Sequence, residues 1–289
     1  MAIQNVFVAG SGLMGSGIAQ VCAQAGRTVS IYDINEAALD KALKNIRWSV
    51  GKFVEKGRVR GSVDEVMGRL TAVTDLTAAA ASDLVIEAVF ENLVVKKELM
   101  KLLNDIIGPE TLVATNTSAI PITELAAAVS RPENFLGLHF FSPAPLMQAV
   151  EVVKGMAASV GTMEKGRLFV LEIGKEPIMV NRDVAGFVIN RINFPSTIEA
   201  MRLVEAGVAT VEDIDKGLRL ASGRKMGVFE TGDMVGLDVT YGAMMAMYHE
   251  TGEERWHPPL LLRRKVKAGH LGRKTGRGWY EYDENGNKK

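Results

Sequence analysis

Gly10-Ser11-Gly12-Leu13-Met14-Gly15 decides the fold. It follows an apolar run at residues 3–9 and opens a helical pattern, while a second apolar run, Thr28–Tyr32, ends against Asp33. A strand–turn–helix that meets a pyrophosphate needs these glycines. Gly10 permits the tight turn, Gly12 lets the backbone approach the ligand, and Gly15 lets helix and strand pack closely. The helix start at Leu13 and Met14 then offers N–H groups and positive potential to phosphate oxygens. Asp33 falls where a ribose ligand is expected. Its carboxylate accepts from both ribose hydroxyls and repels a 2′-phosphate, so the expected cofactor is NAD rather than NADP. Arg27 does not stand at the usual phosphate-clamping position.

Working outward, further apolar runs occupy residues 84–88, 112–114, 135–139, Ala149–Val153 and 177–180. Several are apolar on both faces, which predicts a parallel sheet covered by helices. Between them, Glu36–Glu55 places Leu39, Leu43, Ile46, Val50 and Phe53 on one stripe, with Asn35 as its cap. This helix is long for a crossover and is expected to project beyond the sheet. Residues 91–107 and 162–173 read as further crossover helices. Beyond Val180 comes a polar connector, and then helical periodicity at 187–205, 211–221, 235–249 and 259–268. Pro195 is expected to kink or loosen the first of these. The expected fold class is α/β: a Rossmann-like, mostly parallel sheet domain over residues 1–183, followed by an all-helical C-terminal domain over 184–289. The polar end, residues 283–289, is expected to fray.

The composition excludes several classes. Among 289 residues, 34 basic side chains balance 34 acidic ones, which argues against a coat for nucleic acid or an acidic membrane. The apolar fraction of 47% suffices for a core. No apolar run approaches the roughly 18 residues of a membrane span, and the N-terminus lacks the features of a signal peptide. Cys22 is the single cysteine, so no internal disulfide or cysteine-based zinc site can form, and a cytoplasmic location is expected. No cluster has metal-ligand spacing, and none is expected.

Of four histidines, His139 is distinguished by ending a predicted sheet strand, because ligands collect at the carboxyl ends of strands in open α/β sheets. Glu151 lies among valines in the next strand-like run. A buried carboxylate needs a partner, and a histidine meets that need while the carboxylate fixes the imidazole tautomer. The alternative is a structural ion pair.

Further motifs surround this pair: Glu87-Ala88-Val89-Phe90-Glu91, Asn116-Thr117-Ser118, residues 134–155, Gly186-Phe187-Val188-Ile189-Asn190-Arg191 and Gly272-Arg273-Lys274-Thr275-Gly276. With the glycine motif, they make the whole chain closely resemble the 3-hydroxyacyl-CoA dehydrogenase family in its bacterial 3-hydroxybutyryl-CoA dehydrogenase form. The resemblance implies NAD-dependent interconversion of an L-3-hydroxyacyl-CoA and a 3-oxoacyl-CoA in fatty acid metabolism, by a homodimer joined through the helical domain. It makes His139 the base and Glu151 its orienting partner, and gives Ser118 and Asn190 to the substrate's reacting oxygens. Glu91, Lys96, Ser118, Ser142 and Lys274 become cofactor contacts, and Lys52 and Lys56 candidates for the phosphates of coenzyme A.

Each assignment has a plainer alternative: a helix-capping Ser118, a solvated Asn190, and Lys96 and Lys97 on an ordinary solvated helix face. The chain also departs from the family pattern at Ser142, usually asparagine, at Ala185, usually proline, and at Arg224-Lys225. The last change admits a dicarboxylic acyl-CoA as substrate. A same-fold dehydrogenase of a free hydroxy acid, of the gulonate dehydrogenase or crystallin-like kind, is the other enzyme reading.

Overall fold

The computed structural model describes residues 3–59 and 61–289. The chain divides into two compact units, Met1–Val184 and Ala185–Lys289.

In the first unit the elements run β1 (Asn5–Ala9), α1 (Leu13–Gln24), β2 (Thr28–Tyr32), α2 (Glu36–Glu55), α3 (Val63–Met67) and β3 (Leu70–Val73). They continue with β4 (Leu84–Glu87), α4 (Leu93–Asn104), β5 (Leu112–Thr115), α5 (Ile122–Ala126) and β6 (Phe135–Phe140). The unit ends with β7 (Ala149–Val153), α6 (Val160–Glu172) and β8 (Glu176–Val180). The eight strands form one sheet in the order β3-β2-β1-β4-β5-β6-β7-β8. Every neighbouring pair is parallel except β6 and β7. The strand order reverses between β1 and β4, and that crevice is where a Rossmann-like sheet takes a dinucleotide. Strands β4, β5 and β6 are buried at every position, as two-sided helix cover requires.

The apolar runs anticipated from sequence are all strands, with ends shifted by one or two residues. β3 was not anticipated. Leu70-Thr71-Ala72-Val73 is a four-residue edge strand, none of it fully buried, and too short for its alternation to stand out. α2 has the anticipated bounds, and the Asn35 side chain accepts from the Ala38 N–H. Its buried face is Leu39, Ala42, Ile46 and Val50, and it packs against α1, α3 and β3, so α3 covers part of the length expected to project.

The second unit contains α7 (Ile189–Glu205), α8 (Val211–Ser222), α9 (Val228–Val235), α10 (Leu237–Thr251) and α11 (Leu260–Lys267). α7 continues through Pro195 as one helix. The helix read from residue 235 begins instead at Leu237, because Gly236, at φ 111, separates it from α9. Buried Asp215 accepts from the Phe229 and Glu230 N–H groups, satisfying the start of α9 from a neighbouring helix.

The C-terminal residues, expected to fray, are instead engaged in hydrogen bonds. Asp233 accepts from the Trp279 and Tyr280 N–H groups and the Tyr282 hydroxyl, and Lys288 pairs with Glu230 at 2.8 Å. Asp283 accepts from the N–H groups of Asn285 and Asn287. Polarity there marks hydrogen-bonded turns held by Asp283 and half-buried Glu230, which a reading of local composition overlooks.

Candidate active site

The glycine loop has the tightness its motif requires. Gly10 sits at φ 108, and a Cβ there would lie 2.6 Å from the Ala88 carbonyl oxygen at the end of β4. A Cβ on Gly15 would collide with the carbonyl of Gly10, whereas one on Gly12 would meet nothing within 4 Å. Turn and helix are therefore locked together at Gly10 and Gly15, and Gly12 faces open space. No side chain caps the start of α1 and no acidic residue lies in its first turn, so its N–H groups and positive potential remain available to an anion. Leu13 is exposed and Met14 half-buried at that turn.

Asp33, just beyond β2, is bound back to this loop. Its Oδ2 accepts from the Ser11 N–H at 3.0 Å and the Ser11 hydroxyl at 2.6 Å, and Oδ1 accepts from the Asn35 N–H at 3.1 Å. A half-satisfied carboxylate fixed beside the glycine loop suits ribose hydroxyls, and these residues fit a bound NAD. Arg27 is used elsewhere, in a 2.6 Å ion pair with Glu172.

The second constellation lies on the ends of β4 to β7. His139 and Glu151 are register partners across the antiparallel β6–β7 pair. Adjacent strands thus bring two buried side chains together, and His139 Nδ1 stands 2.6 Å from Glu151 Oε2. With Nδ1–H donating to the carboxylate, Nε2 is left as an acceptor. The Ser118 hydroxyl is 3.1 Å from Nε2. Phe141 packs on the imidazole, with ring centroids 4.7 Å apart. The N–H of Phe140 donates to Asn116 Oδ1, tying β6 to the turn that carries Ser118.

Glu91 organises that turn. Its Oε1 accepts from the Thr117 hydroxyl at 2.6 Å, the Ser118 N–H at 2.8 Å and the Ala119 N–H at 3.2 Å. Its Oε2 lies 3.3 Å from Lys96 Nζ. Lys96 is not on a solvated helix face: its side chain is 0% exposed and pairs at 2.7 Å with Glu87, which is equally buried. Glu87 also accepts from the Thr115 hydroxyl and the Val89 N–H. A continuous polar chain thus runs from Glu87 through Lys96 and Glu91 to Ser118, His139 and Glu151.

Ser118 faces His139 and does not cap α5, whose cap position is Pro121. Ser142 is half-buried in the β6–β7 connection. On α2, Lys52 is exposed and pairs with Glu55 at 2.9 Å, and Lys56 is exposed at the helix end. In the second unit, Asn190 is half-buried in the first turn of α7, and Lys274 pairs with Asp238 at 2.7 Å. Sequence reasoning missed Glu87 and Ser11. Glu87 had a signal, since a carboxylate closing the apolar run Leu84-Val85-Ile86 raises the same question as Glu151 among valines; Ser11 had none.

The family model for the 3-hydroxyacyl-CoA dehydrogenase NAD-binding domain matches residues 5–184, and that for the family's C-terminal domain matches residues 186–282. A Bacillus subtilis protein called probable 3-hydroxybutyryl-CoA dehydrogenase is 41% identical, over 98% of this chain and 99% of its own. An Escherichia coli 3-hydroxyadipyl-CoA dehydrogenase is also 41% identical, over 97% of this chain and 59% of its own. The crystal structure of Mycobacterium tuberculosis FadB2 superposes with a TM-score of 0.94 at 40% identity, covering 98% of this chain and 100% of that one. The chain therefore belongs to the 3-hydroxyacyl-CoA dehydrogenase family and is an NAD-dependent oxidoreductase of acyl-CoA substrates.

Proposed function

We propose that the chain interconverts short-chain L-3-hydroxyacyl-CoA and 3-oxoacyl-CoA thioesters, with 3-hydroxybutyryl-CoA as the representative substrate. The observation that carries this reading is the buried His139–Glu151 pair, with Nε2 of the imidazole 3.1 Å from the Ser118 hydroxyl, at the carboxyl end of β6. In the oxidation direction, His139 Nε2 takes the proton of the 3-hydroxyl while Nδ1–H stays on Glu151, which holds the ring in place. Ser118 hydrogen-bonds the same substrate oxygen and orients it toward Nε2. When bound, NAD supplies the hydride acceptor. In the reverse direction the imidazolium returns its proton to the oxygen of the 3-oxo group.

Asn190 is assigned to the reacting oxygens by the resemblance, and lies in the second unit. Asp33 and the Gly10–Gly15 turn take the adenosine and pyrophosphate. Glu91, Ser142 and Lys274 serve the nicotinamide half, and Lys96 serves it through Glu91. Lys52 and Lys56 take the phosphates of coenzyme A. The protein works in the cytoplasm as a homodimer through its helical domain, a reading supported by exposed apolar side chains there such as Ile192 on α7 and Leu220 on α8.

The identity shared with the 3-hydroxyadipyl-CoA dehydrogenase favours a second substrate reading, a dicarboxylic acyl-CoA, with half-buried Arg224 as the candidate for its terminal carboxylate. A panel of 3-hydroxyacyl-CoA thioesters of graded length and terminal charge, with free hydroxy acids, each oxidised with NAD and with NADP, tests the reading. The highest kcat/KM is expected for the C4 thioester with NAD. Preference for 3-hydroxyadipyl-CoA that collapses in Arg224→Ala supports the second reading, and turnover of free hydroxy acids alone overturns both.

A further inference from the structure

Lys175 takes no part in the chemistry above, yet it is buried at the same edge of the sheet. α6 ends in Gly174 at φ 72. The Gly174 N–H returns to the Leu171 carbonyl at 2.9 Å and the Lys175 N–H to the Val170 carbonyl at 3.0 Å, the paired bonds of a Schellman cap. The next residue, Glu176, starts β8 and donates its N–H to the Gln148 carbonyl at 2.9 Å. The root of the lysine is thus fixed on both sides. Since β8 runs parallel to β7 and β7 antiparallel to β6, β8 begins at the end of the sheet where β6 finishes and His139 lies, with β7 between them.

The side chain turns inward and leaves Lys175 only 6% exposed. Its ammonium donates to the carbonyls of Met147 at 2.7 Å, Ala144 at 3.0 Å and Pro145 at 3.3 Å. Three N–H donors meet three carbonyl acceptors. All three carbonyls belong to the irregular connection between β6 and β7, which contains Ser142 and joins the strands of His139 and Glu151. On another side this connection rests on α1: a Cβ added at Gly17 would stand 3.2 Å from both Ala144 Cβ and Pro145 Cδ. The segment gripped by Lys175 therefore abuts both the strands of the catalytic pair and the helix whose start faces the pyrophosphate.

Burial carries a penalty here. With carbonyls as its hydrogen-bond partners, desolvation pulls the Lys175 ammonium below the usual lysine value. A methionine would fill similar space without that penalty. What the charge adds is a set of charge-assisted bonds to backbone oxygens outside the sheet ladders. We propose that Lys175 is a positioning residue for hydride transfer, fixing the β6–β7 connection so that the His139–Glu151 pair and the dinucleotide helix keep one mutual placement. The proposal rests on the reading of His139 as the base. Misplacement of reacting groups by about 1 Å can cost 10²-fold in rate, so loss of this grip acts on turnover.

The test compares Lys175→Met, Lys175→Gln and Lys175→Arg with wild type for kcat, the KM of each substrate and Tm. Met163→Ala, which hollows the core beneath the same helix, is the reference for stability loss alone. Lys175→Met is expected to lower kcat at least ~10-fold and to raise the KM for NAD, while the KM for 3-hydroxybutyryl-CoA changes less than two-fold. Lys175→Arg is expected to recover more of kcat than Lys175→Gln, and Met163→Ala to lower Tm with kcat unchanged. Should Lys175→Met fail to fold, Lys175→Gln carries the comparison, with a smaller loss in the same direction. Folded variants with wild-type kcat and NAD KM overturn the proposal, as does a loss that Met163→Ala reproduces at equal Tm. His139→Gln in the same series separates the two claims. Full activity there removes the reading of the base, whereas an inactive His139→Gln beside fully active Lys175 variants removes the role of Lys175 alone.

Discussion

On the proposed reading, one side chain, Asp33, sets cofactor choice. It is held beside the glycine loop by both donors of Ser11 and by the Asn35 N–H, and on that reading its charge repels a 2′-phosphate. Asp33→Ser is expected to lower kcat/KM with NADH on the order of 10–100-fold, the worth of a charged hydrogen bond at about 1.5–3 kcal/mol. The same change is expected to narrow the NADH-to-NADPH ratio. Steady-state kinetics with both cofactors check this, and an unchanged ratio removes Asp33 from the recognition of ribose. His139, Glu151 and Asp33 were legible in the sequence because each closes or interrupts an apolar strand with a polar group. Lys175 was not legible, since a lysine after a helix-ending glycine looks like ordinary surface and its role depends on carbonyls about thirty residues earlier in the chain. Nor was the burial of Lys96, because the neighbouring Lys97 on the same helix is partly exposed and sequence spacing alone does not tell which lysine turns inward.

At the scale of elements, the antiparallel β6–β7 pair does the positioning that matters most. It places His139 opposite Glu151 by register, and a shift of one residue would send one of them to the other face of the sheet. The parallel strands β4 and β5 contribute Glu87 and Thr115 at their ends, and α4 returns Lys96 between Glu87 and Glu91. Removing the cation leaves the fully buried Glu87 carboxylate without its ion-pair partner. Lys96→Met is expected to destabilise the N-terminal unit by about 3–5 kcal/mol, on the order of 10 °C in Tm, and to weaken NADH binding through displacement of Glu91. Calorimetry and NADH fluorescence titration measure both, and wild-type values would show that the cluster carries no weight. The strands and the long helix α2 were readable because their patterns run for four or more clear positions. α3, α5 and β3 were not, being four or five residues each, and α9 was not read either, a short helix of eight residues bounded by Gly227 and Gly236.

For the whole molecule, the two units rest on different devices. The first is built on an apolar sheet core. The second adds carboxylates that clasp the chain end: buried Asp215 with the Tyr280 hydroxyl, buried Asp233 with Tyr282, and half-buried Glu230 with Lys288 at 2.8 Å, Glu230 also pairing with Arg219 of α8 at 2.6 Å. Partial burial alone would raise the Glu230 carboxyl, but hydrogen bonds from Lys288, the Gly227 N–H and Arg219 together outweigh it and hold the group down at about 2, against an ordinary 4.5. A depressed carboxyl stabilises the fold above its unfolded value and loses that contribution as pH falls through its folded value. The second unit is therefore expected to lose stability between about pH 4.5 and 2 from this group. Glu230→Gln should show a lower stability at pH 6 and a shallower acid limb in denaturant unfolding. An acid limb as steep in the variant as in wild type contradicts the clasp.

The central claim is that His139, oriented by Glu151, is the base that handles the substrate proton. The most direct measurement is kcat for 3-hydroxybutyryl-CoA oxidation by wild type and His139→Gln, alongside NADH affinity measured by fluorescence. The predicted result is a fall in kcat of at least ~10²-fold with NADH affinity unchanged, the scale of a positioned acid–base group. Turnover by His139→Gln within a few-fold of wild type would contradict the account.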